Sequence, residues 1–113
     1  MSYIGSFGKS KSMTTAETYA WILMSISENL RTQGEIIAVA DGINHAVPTD
    51  SEMRESLGWL QEADLVRQER DQFALTDRGS ALLRRLRTPR SSFTKTWSLV
   101  ARELAPQIRQ ESS

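Results

Sequence analysis

The pattern Thr-x-x-Glu occurs three times in the first half of this chain, each time just before apolar residues at helical spacing. The three pairs are Thr14 with Glu17, Thr32 with Glu35, and Thr49 with Glu52. In such a pair the Thr hydroxyl accepts a hydrogen bond from a first-turn amide, and the Glu carboxylate accepts one from the Thr amide. The sequence therefore predicts three helices, over about residues 15–30, 33–43 and 50–63.

The hydrophobic period changes after the third predicted helix. Residues 65–76 form two short extended stretches joined by Arg70 and Asp71, which predicts a β-hairpin, although Arg-Asp is not a favoured turn pair. Thr76 at the end of the hairpin then caps a fourth helix, predicted over about residues 77–87.

The last part of the chain predicts one more helix. Pro89 breaks the chain after the fourth helix, and Ser91 or Ser92 begins the fifth. Pro106 is expected to kink or end this fifth helix near Leu104, because proline removes a backbone donor and clashes with the preceding turn.

Composition excludes several classes of function. The chain has 113 residues, enough for one domain, and contains no Cys and one His, so it offers no disulfide, thiolate nucleophile or metal-ligand cluster. No nucleophile–base set and no phosphate-binding loop is recognisable, so we expect neither an enzyme nor a cofactor. The longest apolar run, Tyr19–Met24, is too short to cross a bilayer. We expect a soluble cytoplasmic protein whose residues 1–13, rich in Gly, Ser and Lys, form a flexible arm.

Charge is distributed unevenly along the chain. Residues 1–66 carry four Lys/Arg and nine Asp/Glu, whereas residues 67–113 carry ten and five. Five cations of the second part follow one another with no acid between them: Arg84, Arg85, Arg87, Arg90 and Lys95. Such a run predicts either a surface that faces a polyanion or a solvated helix end whose cations complement the helix dipole.

Two short motifs connect the predicted helices and hairpin to a known fold. Residues 60–66 (Leu-Gln-Glu-Ala-Asp-Leu-Val) precede most of the hairpin, and residues 73–79 (Phe-Ala-Leu-Thr-Asp-Arg-Gly) end it. They resemble the exit from the recognition helix and the second wing strand of winged helix-turn-helix regulators of the MarR-like and PadR-like types. Asp64 stands where these regulators usually have Gly. The resemblance implies a mainly α fold with a small β-hairpin wing over residues 14–88, followed by a C-terminal helix and tail within residues 89–113.

The same resemblance implies a small DNA-binding transcriptional regulator, in which helix 50–63 is the recognition helix and hairpin 65–76 is the wing. Arg54 would read a guanine edge, while hydroxyls at the helix start would contact phosphate. The full set of implied contacts to double-stranded DNA is Thr49, Ser51, Arg54, Arg67, Arg70, Arg84 and Arg85.

The charge of the predicted recognition helix favours a different partner. Arg54 is its one cation, whereas five acids lie on the helix or at its exit: Asp50, Glu52, Glu55, Glu62 and Asp64. The first two suit the positive helix start, but Glu55 and Glu62 would repel phosphate. The alternative is a winged helix that contacts a protein through this acidic helix and binds no DNA. Ion pairs from Glu55 and Glu62 to nearby arginines would favour DNA, and open carboxylates beside Arg54 would favour a protein.

An apolar stripe on the fifth helix needs a partner surface. Its members are Phe93, Trp97, Val100, Leu104 and Ile108. The helix can fold back on the first helix or pair with a second copy of the chain. PadR-like regulators pair through such a helix, so the resemblance favours a homodimer built on Phe93, Trp97, Val100 and Leu104.

Overall fold

Each of the three threonine–glutamate pairs begins a helix in the computed structural model, which describes residues 13–87 and 92–112, with side chains to residue 108. At every pair the Thr hydroxyl accepts from the Glu amide and the Glu carboxylate accepts from the Thr amide, over distances of 2.8 to 3.2 Å. The caps predicted at Thr14, Thr32 and Thr49 are confirmed. Thr76 and Ser92 cap two later helices, also as predicted.

Five helices and three short strands make up the described residues. In chain order they are α1 (Thr15–Met24), β1 (Arg31–Thr32), α2 (Gln33–Asn44), α3 (Asp50–Glu62), β2 (Val66–Glu69), β3 (Gln72–Leu75), α4 (Asp77–Leu86) and α5 (Phe93–Ser112). The fold is mainly helical with a small antiparallel sheet, which confirms the predicted mainly α class. The predicted hairpin is confirmed as well, because β2 and β3 pair in register from Val66 with Leu75 to Glu69 with Gln72.

Strand β1 departs from the sequence prediction, which contains no strand before residue 65. Arg31 pairs with Phe73 and Thr32 pairs with Gln72, so β3 lies between β1 and β2. Two residues are too few to show a period of two. The strand forms because the hairpin offers a free edge to the residues just before α2.

Helix α1 ends at Met24 rather than near residue 30, so the predicted end is wrong. The carbonyl of Ser27 accepts the amide of Leu75 at 2.8 Å, which ties the chain after α1 to the end of β3. The hydroxyls of Ser25 and Ser27 also bond to nearby backbone, which competes with helix formation. Ile26 is buried, so its apolar character reflects the core rather than a continued helix.

Helix α1 lies at the centre of the core, as its wide apolar surface predicts. The indole N–H of Trp21 donates to a carbonyl of α2 at 2.9 Å, and that of Trp97 on α5 donates to the carbonyl of Glu17 at 2.7 Å. Helix α3 also packs on α1, where Trp59 stacks on Tyr19 with ring centroids 5.3 Å apart. One helix therefore positions α2, α3 and α5.

The fifth helix folds back on α1, one of the two arrangements that its apolar stripe allows. Val100 and Leu104 are fully buried within the single chain. The helix continues through Pro106 to residue 112, so it does not end near Leu104, and a kink at Pro106, the other predicted outcome, stays a prediction. Leu104 and Ile108 pack against the core on either side of Pro106, and this packing outweighs the missing backbone hydrogen bond.

Parts of the predicted arm and linker lie outside the described residues, namely residues 1–12 and 88–91, the latter including Pro89 and Arg90. Met13, which the sequence assigns to the arm, instead belongs to the fold. Its side chain is half-buried against the core, and its sulfur lies 3.8 Å from the side-chain nitrogen of Asn44.

Candidate nucleic-acid interface

Helix α3 has one buried face and one open face. Met53, Leu57 and Leu60 point into the core, which is the orientation that their spacing predicts. The exposed positions of the helix are Asp50, Ser51, Arg54, Glu55, Gly58 and Glu62. A Cβ placed on Gly58 would meet nothing within 4 Å, so no contact within the described part of the fold requires glycine there.

The hairpin turns at Arg70 and Asp71. Arg70 has a φ of 57°, in the left-handed region, and its carbonyl accepts the side-chain amide of Gln68 at 2.7 Å. Asp71 has no positive φ. A positive φ at the first central residue alone is the pattern of a type II′ turn, which prefers Gly at that position. Because a side chain in this conformation costs about 1–2 kcal/mol, turn geometry alone does not select arginine here.

Thr76 joins the end of α3, the hairpin and the start of α4. Its hydroxyl donates to the carbonyl of Asp64 at 2.6 Å and accepts the amide of Gly79 at 3.0 Å. Its own amide donates to the carbonyl of Leu65 at 3.1 Å. Asp64 has a φ of 62°, so it adopts the left-handed conformation that glycine takes most readily. These bonds set the angle at which the hairpin leaves α3.

The structure divides the sequence-predicted DNA contacts into two groups. Arg54 and Arg70 are exposed and form no ion pair with any other described residue. The remaining arginines each have a carboxylate partner: Arg67 contacts Glu69, Arg84 lies 3.2 Å from Glu28, and Arg85 lies 3.0 Å from Glu103. Ser51 is exposed in the first turn of α3, whereas the hydroxyl of Thr49 accepts the capping bond.

The paired arginines weaken the cationic run that the sequence shows after residue 83. Exposed ion pairs stabilise by only about 0–1 kcal/mol, so these pairs do not fix the arginine side chains rigidly. They do place a carboxylate beside Arg84 and another beside Arg85, and both carboxylates come from distant parts of the chain. A phosphate that approached either guanidinium would meet that negative charge.

Glu55 and Glu62 lie open on the same helix as Arg54. Both are exposed, and neither forms a salt bridge within the part of the chain that the structure describes. Ion pairs from them to Arg67 or Arg70, which would cancel their repulsion of phosphate, do not form. The open face of α3 therefore carries more negative than positive charge.

The four residues predicted for a homodimer differ in exposure. Phe93 is 63% exposed, whereas Val100 and Leu104 are enclosed within the chain. Trp97 is half-buried, and its ring centroid lies 6.2 Å from that of Trp21. Homodimerisation stays a prediction. Of these four residues, Phe93 has the one largely exposed side chain that could contact a second copy.

The sequence does not predict one contact of Thr76 or the position of Arg31. Thr76 is predicted as a helix cap, but its second bond reaches the carbonyl of Asp64 across the hairpin. Arg31 lies exposed on β1 and lines a groove together with Arg84 and Arg87. Neither role has a local signal, because the partners are distant in sequence.

No family model matches this chain, and neither a curated protein nor a solved structure matches it. Within residues 13–87 and 92–112, no three His, Asp or Glu side chains gather as metal ligands would. None of the helices in that part of the chain combines the length and the apolarity needed to cross a bilayer. The candidate interface therefore rests on the geometry of α3 and the hairpin.

Proposed function

We propose that this chain is a small DNA-binding transcriptional regulator of the winged helix-turn-helix type. In this proposal α3 is the recognition helix, which enters the major groove, and the β2–β3 hairpin is the wing. The order of elements supports it, because a helix, a short strand, two helices and a hairpin follow one another, and the short strand joins the sheet of the hairpin.

The observation that carries the proposal is the conformation of Arg70. A left-handed arginine at an exposed turn is strained, and strain of this kind is concentrated where a side chain serves a function. A guanidinium at the tip of a wing is suited to a phosphate or to the minor groove. Arg54, exposed and unpaired among the described residues, is suited to a bidentate contact with a guanine edge.

The small number of unpaired cations predicts a weak dependence of binding on salt. With about two or three phosphates neutralised per chain, the slope of log affinity against log salt concentration is about −1.8 to −2.7. Affinity then falls roughly 10- to 40-fold between about 50 and 200 mM salt. A regulator that contacts phosphates at six to ten points would lose roughly 1,000-fold or more over the same range.

The test begins with selection of duplexes from a random-sequence pool by the purified chain. Affinity for a selected, labelled duplex is then measured by fluorescence anisotropy across that salt range. Arg54→Ala and Arg70→Gly are each expected to weaken binding by roughly tenfold. Arg84→Ala is the matched control, because Arg84 already has Glu28 as a partner, and it is expected to change affinity by less than about twofold. A pool that yields no duplex, or an equal loss in Arg84→Ala, would contradict the proposal.

One observation favours a second function, namely the open carboxylates of Glu55 and Glu62. A helix that contacts a basic protein would keep these groups free for that partner, and the chain would bind no DNA. The double variant Glu55→Gln, Glu62→Gln separates the two functions. Under the DNA proposal, removing two negative charges raises the affinity for non-selected duplex at low salt. If both the variant and the natural chain fail to bind duplex, contact with a basic protein becomes the better account.

A further inference from the structure

A groove separate from the open face of α3 is lined by several arginines, whereas α3 carries one. It has a volume of about 730 Å³ and is lined by the end of α1, strand β1, helix α2, the end of β3 and helix α4. Neither α3 nor the turn at Arg70 contributes a lining residue. We refer to it as the α1–α2–α4 groove.

The floor of the groove is mostly apolar, although the buried Ser25 and Ser80 also line it. Met24, Leu75 and Leu83 line it, and each is buried, so the groove reaches the side chains of the hydrophobic core. Val39 forms part of the wall on α2 and is 49% exposed. A half-exposed valine at the mouth of an apolar groove is available to a partner without any rearrangement of the fold.

The rim of the groove is cationic. Arg31 and Arg87 are exposed, line the groove and form no ion pair with any other described residue. Arg84 also lines it, next to its partner Glu28. The carboxylate of Glu35, a second acid at the rim, accepts the amide of Thr32 in the cap of α2. The guanidinium groups of Arg31 and Arg87, which are distant in sequence, are therefore available to pair with an acidic partner beside the apolar residues of the floor.

We propose that the α1–α2–α4 groove binds a short acidic amphipathic segment of a partner protein. The apolar side chains of that segment cover Val39 and the floor, and its carboxylates pair with Arg31 and Arg87, where guanidinium and carboxylate groups form bidentate hydrogen bonds. The groove is partly open to solvent, which suits a segment that keeps its outer face in water. A small ligand needs enclosure over most of its surface, and this groove does not provide it.

Within the described residues, α2 is the one element that carries both features, exposed acids and the exposed Val39, and it already forms part of the groove. Residues 1–12 contain two Lys and no acid, so their charge matches that of the rim. The acidic face of α3 carries no large exposed hydrophobic side chain, because the exposed ones within the described residues are Val39, Val47 and Phe93. Charge and apolar surface therefore point to a segment of another protein rather than to the arm or to a second copy.

The test is selection of peptides from a random library displayed on phage. The purified full chain is the target, and the double variant Arg31→Glu, Arg87→Glu removes peptides that bind elsewhere. We expect the enriched peptides to combine Asp or Glu with Leu, Ile or Phe. A fluorescein-labelled synthetic copy of the most enriched peptide is then titrated with each variant by anisotropy. Val39→Asp and Arg87→Glu are each expected to weaken its binding roughly tenfold or more.

Val47→Asp is the matched control, because Val47 is 65% exposed and does not line the groove, and it should bind the peptide as the natural chain does. Far-ultraviolet circular dichroism checks that each variant is folded, and Arg87→Glu, which lies just after α4, tests the groove without a change inside a helix.

The proposal is overturned by peptides without acidic residues, by no enrichment over the double variant, or by equal losses in Val39→Asp and Val47→Asp. A dimer seen by sedimentation that Val39→Asp abolishes would also overturn it, because the occupant would be a second copy. Arg54→Ala should keep peptide binding, so failure of the DNA proposal leaves this one testable.

Discussion

Substitution of Gly79 by alanine tests whether the junction of α3, hairpin and α4 is as tight as the structure indicates. A Cβ on this residue would lie 2.1 Å from the carbonyl oxygen of Leu65 and 3.0 Å from its carbonyl carbon. Both are backbone atoms, so the contact is relieved only if α4 and the backbone just before β2 move apart by about 1 Å. Such overpacking typically costs about 1–3 kcal/mol.

The same movement strains the hydrogen bonds that cross the junction. The amide of Thr76 donates to the Leu65 carbonyl at 3.1 Å, and a displacement of about 1 Å breaks that bond at a further cost of about 0.5–1.5 kcal/mol. Alanine recovers about 1 kcal/mol through its better helix propensity. The expected loss in the free energy of unfolding is therefore about 0.5–3.5 kcal/mol, a substantial part of the 5–15 kcal/mol that is typical of domains.

Urea denaturation followed by circular dichroism measures this loss, with the m-value checked against that of the natural chain. Gly42→Ala is the matched control, because Gly42 is also helical and a Cβ there would meet nothing within 4 Å. The control is expected to gain up to about 1 kcal/mol. A Gly79→Ala chain as stable as the natural one would refute the reasoning, since the carbonyl of Leu65 would then have room to spare.

Three further outcomes are expected. Arg70→Gly should leave the free energy of unfolding in urea unchanged or raise it by up to about 1 kcal/mol, because glycine relieves the left-handed strain but loses more chain entropy on folding. Anisotropy should show weaker DNA binding by this variant. A clear loss of stability would show that the arginine supports the turn. Gly58→Ala and Gly42→Ala should each stabilise their helix by up to about 1 kcal/mol. Of the two variants, we expect Gly58→Ala alone to bind duplex more weakly. Equal duplex binding by both variants would mean that no partner approaches Gly58 closely. Phe93→Glu should leave the unfolding midpoint nearly unchanged and abolish any dimer seen by sedimentation. The buried Leu104 is the contrast, because Leu104→Ala should lower the free energy of unfolding by about 2–5 kcal/mol. A dimer that survives Phe93→Glu would exclude this residue from the interface.

Helix starts were predictable from the sequence because their chemistry is local. A Thr and a Glu three residues apart satisfy each other's backbone amides whatever the rest of the chain does, and Thr14, Thr32 and Thr49 all do so. The buried face of α3 follows equally directly, since residues at helical spacing share a face. The hairpin was predictable from its change of period, although its turn uses Arg70 instead of a favoured residue.

Helix ends and the first strand were not predictable in this way, because distant residues decide them. The apolar spacing of α1 continues past Met24, but the backbone after it bonds to β3, about fifty residues further along the chain. Strand β1 exists because the hairpin edge is there to receive it. In α5, core packing of Leu104 and Ile108 carries the helix through Pro106, against the local preference of proline.

Charge shows the same division between local and distant causes, and this bears on function. The arginines that follow residue 83 form a run without acids in the sequence, yet folding brings Glu28 from the loop after α1 to Arg84 and Glu103 from α5 to Arg85. Arg54 and Arg70, which stand among acids in the sequence, are the predicted contacts left without a carboxylate partner among the described residues. Non-specific affinity for DNA comes mostly from neutralised phosphates, and two unpaired arginines can neutralise few of them. If the chain binds DNA, contacts to bases must therefore contribute more of the binding free energy than contacts to phosphates. A selected duplex should then be bound far more tightly than a non-selected one even at low salt, and nearly equal affinities for the two would contradict a recognition role for α3.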